Sequence, residues 1–236
     1  MRAVLLSVLL CARQYVPAAL RVTARPMAPS FRMATEALRR HRHLCAFFSS
    51  QQEQYDFLLP FVKEGFACGD RGFHIVDPSR LEEHRQHLTA SGIPVDELEI
   101  RGRLEVRSWQ QAYLREDRFD QHAMLALIEE VLKQGGSRGH PLTRLVANME
   151  WALLDKAGVD DLVEYESRLN YVLPKYEDPV ICTYDLSRFG AGVAMDILRT
   201  HPVAIVGGLV HENPFYVPPD DFLAERRRRR LEQPVS

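Results

Sequence analysis

The chain has 236 residues, 46% of them hydrophobic and 26% charged, which is the ordinary range for a globular protein with one sizeable core. Its net charge of −2 is unevenly spread, since residues 1–42 carry +7 and residues 226–236 carry +4, which leaves −13 for the residues between them. An acidic middle of this size repels a phosphate backbone, so the composition argues against nucleic-acid binding by the globular part.

The first 42 residues form a basic extension with an apolar run at 3–12, which is too short to cross a bilayer. No convincing cleavage site follows it, so we interpret this segment as lying ahead of a true start at Met27 or Met33, a gene-calling artefact. A signal-peptide core and an organellar transit peptide are the alternatives. We expect the extension to be disordered or loosely helical, with a short basic helix at 34–42.

A strand, a loop, a helix, a glycine turn and a second strand are predicted next. The strand is 43–48, HLCAFF, and the helix is 51–63, where apolar residues recur at helical spacing. Gly65 is expected to end this helix as a left-handed cap, and Gly69 to turn the chain into a strand at 72–76.

Helical and strand-like patterns then alternate along the rest of the chain. The predicted elements are a helix at 80–90, a strand at 104–106, a helix at 119–133, a strand at 142–149, a helix at 159–173, a strand at 180–184, a short helix at 192–198, a strand at 203–206 and a charged helix at 221–231. This alternation predicts an α/β fold with three layers, α/β/α, and a mainly parallel sheet. Functional sites of such sheets lie beyond the carboxyl ends of the strands.

The loop after the first strand is where a nucleotide-binding α/β protein holds phosphate with glycine amides and a lysine. Here the loop at 49–53 reads SSQQE and contains neither residue type. The glycine-rich segment at 135–141 follows a helix, which is the wrong place for a phosphate loop. The sequence therefore predicts a nucleotide-binding architecture that lacks its phosphate loop.

Three candidate ligand-binding residues follow predicted strand ends. Glu150 is either a pocket carboxylate or a structural one, and Trp151 offers an apolar face to a ligand or to the core. Asp185 is either functional or the cap of the next turn. Tyr184 precedes it on the opposite face of the strand.

Further candidates lie on the helix at 159–173 and near the last strand. Tyr165 lies on one face of that helix, and Glu166 shares a neighbouring face with Asn170. This polar pair either projects into a crevice or is solvated, and solvation is the commoner outcome. His201 enters the last strand, and an aromatic loop that contains Asn213 and Tyr216 follows it.

The cysteines Cys11, Cys45, Cys68 and Cys182 lie far apart and form no CxxC pair, so we expect no disulfide framework and a cytoplasmic location. His43 shares a strand face with Cys45, and these two with Cys182 offer possible metal ligands. Structural zinc sites use shorter spacings, so we predict buried thiols, no metal site and no cofactor. The sequence also lacks the usual hydrolase motifs.

Several segments together resemble a known family. They are HLCAFF, FVKEGFACGDRGFHIV, NMEWAL, YESRLN, VICTYDLSRF and HPVAIVGGLVHENPFY, between residues 43 and 222. In their order and spacing they resemble the MEDS family, the sensory domain named for methanogens, methylotrophs and the dichloromethane regulator DcmR. The resemblance implies a RecA- and KaiC-like fold without the ATP-binding signature, and a non-catalytic sensor of small organic compounds in signalling or transcription control.

The domain is therefore expected at 43–222, between the extension at 1–42 and an arginine-rich tail at 223–236. No helix-turn-helix, kinase or receiver pattern accompanies it. Its output is expected through a protein partner such as a kinase or transcription regulator, through oligomerisation or through the tail, without direct nucleic-acid or membrane binding. The predicted ligand-binding residues are His43, Glu150, Trp151, Tyr165, Glu166, Tyr184, Asp185, His201, Asn213 and Tyr216.

We place the predicted pocket between Glu150, Trp151, Tyr184, Asp185 and the segment at 201–216. Two other functions stay open on the sequence. One is an enzyme, either a nucleotide hydrolase with a non-standard loop or a small-molecule enzyme with Glu150 and Asp185 as acid and base. The other is a structural interaction protein whose run of five arginines at 226–230 binds an acidic partner.

Overall fold

The computed structural model of the protein describes residues 41–232, so nearly all of the predicted basic extension lies outside the described part. The strands are β1 His43–Phe48, β2 Arg71–Val76, β3 Leu104–Ser108, β4 Thr143–Asn148, β5 Val180–Asp185, β6 Val203–Val206 and β7 Leu209–Glu212. The helices are α1 Gln51–Ala67, α2 Leu81–Ala90, α3 Val95–Ile100, α4 Gln121–Ser137, α5 Leu162–Val172, α6 Ala191–Thr200 and α7 Pro219–Glu232.

The seven strands form one sheet in the order β3-β2-β4-β5-β1-β6-β7. Six are parallel to their neighbours, and β7 alone is antiparallel, paired with β6. Gly207 and Gly208 connect β6 to β7 and have φ angles of 58° and 70°, which L side chains rarely adopt. The predicted mainly parallel α/β sheet is confirmed. The β6-β7 hairpin was missed, although a Gly-Gly pair between apolar residues is a hairpin signal.

Helices cover both faces of the sheet, which gives the three predicted layers. On β1, Cys45 and Phe47 belong to a core with residues of α4, α5 and α6, whereas Leu44 and Ala46 belong to a core with residues of α1, α2 and α3. All residues of β1 are buried. This two-sided burial explains why the strand reads as a continuous apolar run.

The predicted cap at Gly65 is wrong, because α1 continues through it to Ala67. Gly65 instead makes room for Arg144, whose Nε would lie 2.4 Å from a Cβ at this position. Arg144 Nε donates a hydrogen bond to Asp70 at 2.8 Å, which links β4 to the start of β2. The turn itself uses Gly69, which has a φ of 90°.

Local side chains explain the other differences in helix bounds. Asp120 accepts hydrogen bonds from the N–H groups of His122 and Ala123, so α4 begins at Gln121 and excludes Phe119. Helix α3 was missed because it has only six residues, three of them acidic. Within residues 41–232, no helix combines the length and the apolar character that crossing a membrane requires.

The predicted boundary between residues 222 and 223 falls inside α7. Phe222 and Leu223 are buried, and α7 lies against α5 and α6. Of the five arginines, Arg226, Arg229 and Arg230 contact a carbonyl group or acidic residues of the domain itself, Arg229 through Asp196 of α6 at 3.9 Å. This part of the predicted tail is therefore packed on the domain.

Candidate functional site

The loop between β1 and α1 is occupied by its own side chains. Ser50 Oγ accepts a hydrogen bond from the N–H of Glu53 at 3.2 Å, and Glu53 Oε2 accepts one from the N–H of Ser49 at 2.8 Å. This reciprocal arrangement resembles a capping box. It places a carboxylate at the amino end of α1, where a phosphate-binding protein places the anionic ligand.

Glu150 and Asp185 meet at the carboxyl ends of β4 and β5. Glu150 is 5% exposed, and its Oε1 accepts a hydrogen bond from the N–H of Asp185 at 3.0 Å. Burial raises the pKa of Glu150 to about 7, although the bond from Asp185 and the charge of Arg188 oppose the shift. Asp185 Oδ1 accepts hydrogen bonds from the N–H and hydroxyl of Ser187 at 2.8 and 2.6 Å, so it caps the next turn.

Two apolar side chains are exposed at the same end of the sheet. Leu186 is 42% exposed and its N–H donates to Phe48 O at 2.9 Å, while Val206 is 47% exposed and pairs with Phe47. Both therefore flank the end of β1. We call Glu150, Asp185, Leu186 and Val206 the carboxyl-edge surface, which combines a protonatable carboxyl group with exposed apolar area.

Trp151 and Tyr165 lie in the interior instead. Trp151 is fully buried and stacks on Tyr113 with ring centres 4.6 Å apart, and its ring centre lies 4.4 Å from that of Phe119. Tyr165 meets Phe119 edge-on at 5.4 Å. Of the two interpretations of Trp151 that the sequence left open, the observed contacts are those of core packing.

A second group of polar side chains lies near the amino ends of β1 and β6. Glu166 of α5 reaches down to the sheet, where its Oε2 lies 3.0 Å from His43 Nε2, 3.2 Å from His201 Nε2 and 3.6 Å from Cys182 Sγ. All four side chains are at most 1% exposed. We call His43, Glu166, Cys182 and His201 the buried cluster. The expectation that Glu166 is solvated is wrong.

The Nδ1 atoms of both histidines are held from outside the cluster. His201 Nδ1 lies 2.8 Å from Ile197 O, a carbonyl group that can only accept, so this nitrogen carries a proton. Asn170 donates through Nδ2 to Thr200 O at 2.8 Å, so its Oδ1 is the atom that faces His43 Nδ1 at 3.2 Å. With both Nδ1 atoms protonated, the Nε2 atom of each histidine faces Glu166 with a lone pair if the ring is neutral, or with a second proton if the ring is charged.

The surroundings shift the ionisation of the cluster strongly. Burial lowers the pKa of His43 to about 4, and the nearby His201 lowers it further against the opposing effect of Glu166. For Glu166, burial alone raises the pKa, but the facing imidazoles of His201 and His43 outweigh it and hold the value at about 2. Burial also raises the pKa of the Cys182 thiol well above its usual range. Glu166 is therefore ionised at neutral pH.

Three buried polar atoms around the cluster lack an aligned hydrogen-bond partner among the described residues. They are Glu166 Oε1, His201 Nε2 and the hydroxyl oxygen of Tyr184. The Tyr184 ring lies edge-on to His201, with centres 6.2 Å apart. Unpaired polar atoms are uncommon in protein interiors and often mark a bound water, ion or ligand.

The predicted site residues thus separate into different places. His43, Tyr184, Glu166 and His201 come together in the interior, whereas Glu150 and Asp185 lie at the opposite ends of the strands. Because β7 runs antiparallel to β6, it returns the chain to the amino end of the sheet, where Asn213 donates its backbone N–H to Pro202 O at 2.9 Å.

Asn213 orders the loop after β7, since its Nδ2 also donates to Leu198 O and His201 O at 2.5 and 2.7 Å. Tyr216 donates its N–H to Asn213 O at 3.2 Å and is half-buried. Of the segment at 201–216, the β6-β7 hairpin at Val206 therefore lies at the same end as Glu150 and Asp185, whereas Asn213 and Tyr216 lie at the opposite end. Cys182 was not among the predicted ligand-binding residues. Its shared strand face with Tyr184 was visible, but the neighbouring strands were not known.

The family description "MEthanogen/methylotroph, DcmR Sensory domain" matches residues 42–202 of the chain. The chain belongs to the MEDS family. The predicted resemblance is confirmed, and the chain carries a sensory domain. Asn213 and Tyr216 lie beyond the matched residues, whereas both glutamates of the two sites lie within them.

Two known proteins are similar to this MEDS chain. The transcriptional repressor DcmR of Methylorubrum extorquens is 26% identical over 165 residues, which are 68% of this chain and 58% of that protein. The chain therefore spans little more than half the length of this relative. The crystal structure of a KaiC-like protein from Pyrococcus horikoshii OT3 matches with 16% identity and a TM-score of 0.48, over 70% of each chain.

Proposed function

We propose that this chain is a non-catalytic sensory domain that binds a small organic compound and regulates transcription or signalling through a protein partner. The observation that carries the proposal is the loop between β1 and α1. There, Glu53 and Ser50 use the N–H groups that a phosphate would need, and Glu53 adds a negative charge. A neutral compound carries no negative charge for Glu53 to repel.

The carboxyl-edge surface is the proposed ligand site. Glu150 has a pKa raised to about 7, so near neutral pH it can donate or accept a hydrogen bond. Leu186, which follows Asp185 in the chain, is exposed at this edge, and Val206 on β6, two strands from β5, adds exposed apolar area further along it. A few polar groups within an apolar surface are typical of small-molecule sites, and the carboxyl ends of parallel strands are their usual place.

We propose that a kinase or a transcription regulator binds the domain and responds to its ligand-bound state. A ligand can shift such a system only if it binds two conformations of the domain with different affinity. The similar protein from M. extorquens is named a transcriptional repressor, which supports transcription control as the output. Arg226, Arg229 and Arg230 already contact Asp160, Asp196 and Asp161 of this domain, which disfavours α7 as the docking segment. We propose the cytoplasm as its location, because the buried thiols of Cys45 and Cys182 are free; the disulfide-bonded Cys68 argues against it.

The second candidate is an enzyme, and the pair Glu150 and Asp185 favours it. Their contact brings two carboxyl groups to one edge of the sheet, and a carboxyl group with a pKa near 7 is suited to general acid or base catalysis. Against this, Asp185 Oδ1 is engaged by Ser187, and the loop that would hold a nucleotide carries Glu53.

The test is a thermal-shift screen of the full chain with a panel of small neutral organic compounds and with Mg-ATP. A compound present at 100 times its Kd stabilises the native state by about 2.7 kcal/mol, which raises Tm by several degrees. We expect Leu186→Ser to abolish this shift. Ile100→Ser is the matched control, since Ile100 is 87% exposed at the end of α3, remote from the carboxyl ends of β5 and β6.

Two results would contradict the proposal. Mg-ATP hydrolysis that disappears in Glu150→Gln would establish the enzyme instead. A Tm rise with Mg-ATP that depends on the loop at 49–53 would show that this loop holds phosphate despite its carboxylate.

A further inference from the structure

The buried cluster offers four electron-pair donors of three kinds. Two imidazole nitrogens, one carboxylate oxygen and one sulfur come from four separate segments of the chain, and all lie within 4.8 Å of one another. Nitrogen, oxygen and sulfur donors in combination are typical of Zn²⁺ and related divalent ions. Within residues 41–232, no second group brings three or more such side chains together in this way.

Three of the six distances between the donors are close to those around a tetrahedral ion, and all six are at most 4.8 Å. Four donors at 2.0–2.3 Å from a zinc ion are separated from one another by roughly 3.3–3.8 Å. In the cluster, the donors of Glu166 and His201 lie 3.2 Å apart, those of Glu166 and Cys182 3.6 Å apart, and those of Cys182 and His43 3.8 Å apart. The contact between His43 and Glu166, at 3.0 Å, needs to open by a few tenths of an ångström.

The two histidine rings are held by the same kinds of hydrogen bond that orient metal-binding histidines. Such histidines donate their second N–H to a carbonyl or carboxylate group, which orients the ring. Here His201 Nδ1 donates to Ile197 O, and His43 Nδ1 donates to Asn170 Oδ1. Both Nε2 atoms are thereby directed at the same oxygen of Glu166, and His201 Nε2 has no aligned hydrogen-bond partner.

The other buried histidine pair of the described residues is a useful contrast. His74 Nδ1 and His84 Nε2 lie 2.9 Å apart, and the hydroxyl of Tyr55 lies 2.9 Å from His84 Nδ1. Each of these two contacts is an ordinary hydrogen bond, with one proton between a donor and an acceptor. No carboxylate or thiol takes part in them. This pair forms a hydrogen-bonded network that leaves His74 Nε2 without a partner among the described residues, whereas in the buried cluster two Nε2 atoms face one carboxylate oxygen beside a thiol.

We propose that the buried cluster binds one divalent transition-metal ion, Zn²⁺ first, through His43 Nε2, His201 Nε2, Glu166 Oε2 and Cys182 Sγ. Four protein ligands leave no open position, so the role is structural. The ion links α5 to β5 and to the amino ends of β1 and β6. It does not depend on the ligand site proposed above, which lies at the other ends of the strands.

The first experiment measures metal in the full chain, purified from cells grown with added zinc and dialysed against metal-free buffer. We expect one zinc ion per chain by inductively coupled plasma mass spectrometry. Replacement by Co²⁺ should give the intense visible bands of a tetrahedral site and a sulfur-to-cobalt charge-transfer band in the near ultraviolet.

The second experiment compares two buried cysteines. Cys45 and Cys182 are direct neighbours in the β1-β5 register, but Cys45 Sγ donates to Val203 O at 3.7 Å and is not part of the cluster. We expect Cys182→Ser to lose the charge-transfer band and at least tenfold in metal affinity. Cys45→Ser, with the same change in size and polarity, should keep both.

Wild-type protein that holds no zinc and gives no tetrahedral cobalt spectrum would overturn the proposal and leave a proton-sharing network. A charge-transfer band that persists in Cys182→Ser, or disappears equally in Cys45→Ser, would overturn it as well. Circular dichroism of each variant shows whether it is folded. If Cys182→Ser does not fold, the wild-type zinc content and cobalt spectrum decide the question.

Discussion

The carboxyl-edge surface and the buried cluster each contain a glutamate that is almost inaccessible to solvent. Glu150 is 5% exposed and Glu166 is 0% exposed, yet their pKa values are about 7 and about 2. Glu150 accepts one backbone hydrogen bond at 3.0 Å, whereas Glu166 faces two imidazoles and a thiol. Burial disfavours the charge of both, and the partners decide which carboxylate nevertheless stays ionised.

This difference also separates what the two regions do. The carboxyl-edge surface has a carboxyl group with a pKa near neutral pH at the same edge of the sheet as the exposed Leu186 and Val206. The buried cluster has a fixed charge with partners on several elements and no exposure. We infer that the first region is suited to a ligand that comes and goes, and the second to holding the fold together.

The largest expected effect is that of Glu166→Ala. Removing one partner of a buried charged network costs about 3–5 kcal/mol in the free energy of unfolding, because the remaining polar groups stay buried. Urea unfolding followed by circular dichroism measures it. Glu164→Ala on the same helix is the control, since Glu164 pairs with Arg168 and Arg230, whose side chains are 30% and 51% exposed, and the loss of such surface pairs should cost about 1 kcal/mol or less. Equal costs for the two variants would contradict the special role of Glu166.

A pH-dependent effect of intermediate size is expected for Glu150→Gln. The ordinary pKa of Glu150 is 4.5 and the folded value is about 7, so the folded state binds this proton more tightly than the unfolded chain does. Its contribution is therefore present at low pH and is lost as the pH rises through 7, by up to about 3 kcal/mol. Asp185 and Arg188 are the charged groups that act on Glu150, and both stay in the variant.

Unfolding free energies of wild type and Glu150→Gln at pH 5 and pH 8 test this sign. The variant should gain stability relative to wild type on going from pH 5 to pH 8. A constant difference between the two proteins across this range would show that Glu150 titrates at its ordinary value.

The smallest expected effect is that of Ser50→Ala at the β1-α1 loop. Loss of an N-cap hydroxyl costs about 1 kcal/mol, because the N–H of Glu53 loses its acceptor. Ser137→Ala, which removes only a hydroxyl that donates to Gln134 O at the end of α4, serves as the control. A Tm unchanged by Ser50→Ala would indicate that water replaces the cap, which would weaken the case that the loop is closed to phosphate.

Much of the fold could be predicted because its signals are local. The apolar run 43–48 coincides with β1, and the runs at 180–184 and 203–206 mark β5 and β6 to within one residue. The errors are also local in origin. Gly65 was expected to end α1, but it lies opposite Arg144, a contact across 79 positions of sequence that no local pattern reveals.

The candidate sites were predictable only in part. His43, Glu150, Glu166 and His201 were all named from strand ends, helix faces and the family resemblance. Which of them meet was not predictable, because that depends on the order of the strands in the sheet. Because the sequence has no short Cys and His spacings, it predicts no metal site. The proposal for the buried cluster departs from that prediction.

By itself, the sequence determined the order of helices and strands, the absence of glycine and lysine in the loop at 49–53, and membership of the MEDS family. Only the tertiary structure decided that β1 lies between β5 and β6, which sets His43 beside Cys182 and His201. Glu166 and His43 are 123 positions apart. Periodicity reports which face of an element is buried, but a contact between elements depends on how the whole sheet is ordered.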